Sequence, residues 1–280
     1  MNLSRNTAIP WMLWRRQVAA ILRLELKKSL LSKRAWWIYL LTLGPVVLTA
    51  LHSLVARGGE HTLAEDNLVY AGIFQFYFLR LGIFFGCVGI FSNLFRAEVL
   101  ERTLHYYFLV PVRREVLAVS KYLAGLIAAV AFFGGSALLS FLFISMHWGP
   151  VFEEYLLRGP GLAQMGWYAL TATLACVGYG AVFLLTGILF RNPMIPAAVV
   201  MVWENLNPFL PSLLKKFSVI FYLKSLCHVD LPIDGPLAVI AVVTEPTPAW
   251  LAVPGLLLVS MLVLGYAAMQ ARTMEVSYSE

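Results

Sequence analysis

Long apolar stretches separated by short polar ones set the pattern of this chain. Residues 36–56, 70–95, 122–146, 166–190, 193–213 and 250–269 each carry at most one Asp, Glu, Lys or Arg. Each has about the twenty residues that an α-helix, rising 1.5 Å per residue, needs to cross a hydrocarbon core. The fifth is the least regular, because Glu204, Asn205, Asn207, Pro208 and Pro211 interrupt its outer half. Ahead of the first span, residues 12–34 place Arg16, Arg23, Lys27 and Arg34 on one helical line and Val18, Ile21, Leu22 and Leu26 on the opposite one. That is an amphipathic helix lying in the membrane surface with its basic side chains among anionic head groups. Glu25 projects from the apolar side, either as a solvated charge at the stripe's edge or in a buried ionic contact with a partner.

Residues 213–226 read as an interfacial or re-entrant helix with Lys215, Lys216 and Lys224 on its wet side. Residues 237–243 are too short to cross, so 213–249 forms an external, re-entrant region before the last span. The expected architecture is a single all-α transmembrane domain over 1–280, with six spans and an amphipathic leading helix. Trp36 and Trp37 anchor the first span at the interface, and Gly44-Pro45 predicts a kink within it. Gly82 and Gly86 in the second span have the small-xxx-small spacing that permits close helix approach.

The connection between the second and third spans, 96–121, is too polar for membrane interior and too patterned for an idle loop. Glu98, Glu101 and Arg102 open a helical pattern whose apolar side is Leu104, Tyr107 and Phe108. Pro111 forces a break, and Arg113, Arg114 and Glu115 start a second helix that runs through Lys121 into the third span. Two readings fit: a surface that receives a push from a soluble partner, or a basic loop that only sets topology.

Composition narrows the class. Hydrophobic residues make up 60% of the chain and charged ones 13%, against about a quarter charged in soluble domains. A net charge of +6 would favour nucleic acid in a soluble protein; here its distribution reports orientation instead. Fifteen Lys and Arg fall on the side of the N-terminus, five on the other, and Arg80 lies within a span. Both termini are therefore expected in the cytoplasm, with 96–121 on the same face. The first apolar run has no small-residue cleavage pattern beside it, so no cleavable leader is expected. Cys87, Cys176 and Cys227 share no close spacing, which indicates neither a disulfide framework nor a zinc site.

No G-x-x-x-x-G-K-[S/T] loop is present, so the chain is not expected to bind ATP that way, nor is there an H-E-x-x-H or G-x-S-x-G motif. No cofactor or metal of its own is expected. Two charges remain at membrane depth. Arg80 and Glu204 each lie roughly 15 Å from an end of their span, near the midplane, where ionisable groups face the bundle interior. They are expected to line a central cavity or to pair, with Asn205 and Asn207 beside them; the alternative is that each snorkels or is shielded by a broken helix.

Taken together, these features resemble the permease subunit of ABC-2 type transporters. The local likeness is carried by Glu98, Thr103-Leu104, Pro111, Arg113-Arg114 and Lys121, although Arg102 stands where that family often has glycine before the threonine. The resemblance implies six spans, both ends inside, and a coupling helix between the second and third. It implies an exporter of the plasma (inner) membrane built from two permease halves, identical or homologous, and two separate ATP-binding subunits that hold ATP and Mg. Leu104, Tyr107, Phe108 and Val112 would insert into a groove of the ATPase, and Glu98, Glu101, Arg102, Arg113 and Arg114 would fix its register. A membrane anchor for a cytoplasmic partner, or an intramembrane lipid-modifying enzyme, are the competing readings.

Overall fold

The structure is a computed structural model that describes residues 11–31, 36–55, 62–101, 113–227, 229 and 247–273. These residues form helices: α1 (Trp11–Leu31), α2 (Trp36–Val55), α3 (Leu63–Leu100), α4 (Arg114–Trp148), α5 (Pro150–Leu157), α6 (Gly161–Leu189), α7 (Met194–Leu206), α8 (Ser212–Lys215), α9 (Val219–Leu226) and α10 (Ala249–Thr273). Among the described residues there is no strand, and α2, α3, α4, α6 and α10 are long and apolar enough to cross a membrane. The chain is an all-α polytopic membrane protein. The stretch 193–213, read as the least regular span, is not one continuous helix. α7 has thirteen residues, about 20 Å, and Pro208 and Pro211 lie in the irregular segment that follows.

Burial orders the bundle. The most apolar window of α6 is 67% buried, against 33% in α2 and 22% in α10. α6 is therefore the central post, packed on α10 and on the middle of α3, while α2 lies against α4. The outward faces of α2 and α10 are rows of exposed apolar residues such as Leu40, Val47, Leu51, Leu258 and Leu262. Such faces suit lipid rather than water.

Pro45 does not break α2. Proline removes the N–H that would bond the carbonyl four residues earlier, here Leu41. Tyr77 Oη, from α3, donates to that carbonyl at 2.8 Å instead. At the next residue, Ser136 of α4 donates to Thr42 O. In an apolar solvent every backbone acceptor needs such a partner.

α3 begins seven residues before the expected span. Thr62 Oγ1 accepts from Glu65 N (3.3 Å) and Glu65 Oε2 accepts from Thr62 N (2.7 Å), a reciprocal capping box. Asp66, ahead of the expected second span, is buried. It accepts from Trp148 Nε1 at 2.8 Å and lies 3.1 Å from His52 Nε2 and 3.4 Å from His147 Nε2. Farther along, α3 widens into π-turns over Ile73–Gly82 and breaks at Ser92.

Of the two glycines the spacing singled out, Gly86 accommodates a neighbouring helix and Gly82 does not. A Cβ on Gly86 would meet the Phe133 ring, and one on Gly82 its own helix's Tyr77. Backbone meets backbone at Gly187, where a Cβ would lie 2.6 Å from Ser92 O and 2.8 Å from Ser92 Cα. An exposed mid-helix Gly→Ala change stabilises by roughly 1 kcal/mol, and Gly166→Ala, which meets open space, should do so. Gly187→Ala should instead destabilise by about 1–3 kcal/mol, because backbone cannot yield as a side chain can. Melting midpoints of the two variants should move in opposite directions.

Candidate functional site

At the end of the bundle that bears α1, three elements converge on one ammonium group. Lys121, in the second turn of α4, is fully buried. Its Nζ donates to Glu25 Oε1 of α1 at 2.5 Å, to Glu98 Oε1 near the end of α3 at 2.7 Å, and to Leu94 O at 2.9 Å. A lysine ammonium has three donors, so all are used. The Phe95 ring covers the group at 5.5 Å. Lys28 stands at the rim, 3.6 Å from Glu98, with 39% of its side chain exposed. Two carboxylates thus meet two ammonium groups, the balance that a buried ionic cluster requires.

Local sequence explains the placement. Glu25 lies one turn beyond Ile21 on the face of α1 that packs against α4, and both are buried. Arg16, Arg23 and Lys27 are exposed on the opposite side, as the amphipathic pattern requires. Around the triad, Arg113 stacks over Trp14 at 5.2 Å. Arg114 Nη1 donates to Arg272 O at 2.8 Å, and Arg272 pairs with Glu115. The start of α4 is therefore tied to α1, to the end of α3 and to the last turn of α10.

These contacts engage part of the expected partner surface within the chain itself. Glu98 is 1% exposed and turned inward, where it holds the chain's own elements together. Arg113 and Arg114 are likewise engaged within the chain, while Glu101 is exposed. Arg102, Thr103, Leu104, Tyr107, Phe108, Pro111, Val112 and Arg34 lie outside the described residues.

The second charged pair also differs from expectation. Arg80 and Glu204 line one pocket with Tyr179 and Asn205, but its volume is about 10 Å³, room for about one water. No ion pair joins them: the Arg80 guanidinium lies over the Phe76 ring at 5.3 Å. Glu204, 9% exposed, accepts from Ser218 Oγ (2.8 Å), Val219 N (3.0 Å), Ile220 N (2.8 Å) and Tyr179 Oη (3.4 Å). It caps the first turn of α9, where a helix presents unbonded N–H groups and positive potential. Asn205 is exposed and bonds within α7. Asn207 is buried and donates to Lys215 O at 3.4 Å, away from the pocket. Lys215, expected on the wet side, is 3% exposed, while Lys216 is exposed.

A bundle of lipid-length helices with a charged joint at one end defines an integral membrane protein. The sequence matches the ABC-2 family transporter protein over residues 21–207, and the chain belongs to that family. The matched region contains Glu25, Glu98, Lys121 and Glu204 and ends before α9 and α10. No curated protein matches the chain. It is the membrane-embedded component of an ABC transporter.

Proposed function

We propose that this chain is one permease half of an exporter in the plasma (inner) membrane, with both termini cytoplasmic. A second copy or homologue completes it, and separate ATP-binding subunits, which hold ATP and Mg, dock on 96–121. The observation that carries this reading is the Glu25–Lys121–Glu98 joint. Glu98 precedes residues 102–112 by four positions and Lys121 follows them by nine, so the helices on either side of the connector meet in one buried ionic cluster. A partner that displaces the connector must move α1, α3 and α4 together. Closure around ATP would in this way reach the spans. The three-to-one bias of basic residues supports the orientation.

The test is a pull-down through a tag on this chain, followed by ATPase assay, for wild type and Leu104→Asp. An ATP-binding subunit should co-purify with wild type. A carboxylate in place of an apolar anchor should lower its recovery or turnover roughly tenfold, the scale of an interface hot spot. Absence of any ATPase from a well-folded wild-type preparation would sink the proposal and leave the anchor reading in its place.

A further inference from the structure

On the flank of the bundle, at the same end as the joint, a groove runs between the start of α2, the second half of α3 and the α6–α7 return. Its volume is about 530 Å³, within the range of small-molecule sites. Trp37, Phe85, Val88 and Leu100 supply apolar wall, and Trp37 packs against Gly89, where a Cβ would stand 1.9 Å from the indole. Among the described residues, the charged ones lining it are Arg96 and Arg191. Glu98, two residues from Arg96, is turned the other way into the Lys121 cluster. The groove is thus greasy within, and at its polar edge two arginines stand among the neutral Ser92, Asn93 and Asn192.

We infer that this groove is a binding site for an anionic phospholipid, its phosphate held by Arg96 and Arg191 and an acyl chain laid along Trp37, Phe85 and Val88. The inference rests on the proposed orientation, which sets these arginines at the cytoplasmic leaflet, where anionic lipids concentrate. Basic pockets between transmembrane helices on that side recognise such head groups. Arginine suits the role because its planar fork can donate two parallel hydrogen bonds to phosphate. The walls match a hydrocarbon chain and the edge matches its head group, so neither a free anion nor a neutral lipid satisfies both.

Native mass spectrometry of the full-length, detergent-purified chain tests this, with phosphatidylglycerol and phosphatidylcholine of identical acyl chains as probes. Wild type should retain phosphatidylglycerol preferentially. Each arginine near an anionic head group is worth roughly fivefold, so Arg96→Ala/Arg191→Ala should lower that preference roughly twentyfold. Arg96→Lys/Arg191→Lys should keep most of it, and Arg158→Ala, an exposed basic site on the α5–α6 turn, should leave it unchanged. Equal retention of the two lipids by wild type overturns the inference, as does an unchanged preference in the double alanine variant. A lipid-free dimer that becomes monomeric in that variant would give the groove to a second copy and overturn it too. The assay involves no ATPase, so its outcome is independent of the Leu104→Asp result.

Discussion

Lys121→Met should lower the melting midpoint by roughly 10 °C and leave little protein recoverable from membranes. The substitution keeps the volume of the stem and removes the charge. Glu25 and Glu98, each no more than 2% exposed, would then face one another, with the half-exposed Lys28 as the remaining cation. Breaking a buried ionic cluster by removing one partner costs about 3–5 kcal/mol, and for chains of this size each kcal/mol is worth roughly 2–4 °C. The control is to remove the charge from every member of the triad. Glu25→Gln/Glu98→Gln/Lys121→Met should regain most of the loss, since replacing all charges of such a cluster is close to neutral. Thermal melts in detergent measure both. If the single substitution melts with wild type, the cluster is solvated and the joint does not exist. In the stabilised triple variant, ATPase turnover of the assembled complex should stay depressed, because α1 is no longer tied to the connector's ends.

Glu204→Leu should release α9. Four donors converge on this carboxylate, two of them the backbone N–H groups of Val219 and Ile220. Each buried donor left without an acceptor costs about 1–3 kcal/mol, and rearrangement will recover part of the sum, so about 3–5 kcal/mol is expected. Glu204→Gln keeps one acceptor oxygen and should lose about half as much. Cys227, directly after α9, gives a local readout: it is half-buried, whereas Cys87 and Cys176 are fully buried and should not react. Maleimide labelling of Cys227 should accelerate in Glu204→Leu under conditions where the other two cysteines remain unmodified. Unchanged labelling together with an unchanged melt would show that α9 is held by its apolar contacts alone.

The spacing of Arg16, Arg23 and Lys27 against Ile21 and Leu22 needed no three-dimensional information to predict α1, because a helical period of 3.6 sorts side chains by face. The same holds for the four spans that begin near residues 36, 70, 122 and 166 and for the last one, whose lengths follow from bilayer thickness. Some missed boundaries were local and readable. Thr62-x-x-Glu65 is a capping signature, and it extends α3 outward to bury Asp66. The two prolines after Leu206 stop α7 short of a full crossing. Of Gly82 and Gly86, only Gly86 receives a neighbouring helix, through the Phe133 ring: spacing identifies glycines on one face, but not which of them meets a neighbour, or by backbone or side chain.

Membrane class, the amphipathic leading helix, the side with excess positive charge and the lack of a Walker-type nucleotide loop were all decided by local composition and period, which act on each stretch alone. That Glu25 and Glu98 share one lysine, that Tyr77 replaces the bond Pro45 removes, and that Glu204 caps α9 instead of meeting Arg80 were decided only in the folded bundle. Those partners lie between 15 and 96 residues apart along the chain. Which buried charge finds which counter-charge depends on how helices cross, and in an apolar solvent the nearest donor on a neighbouring helix wins.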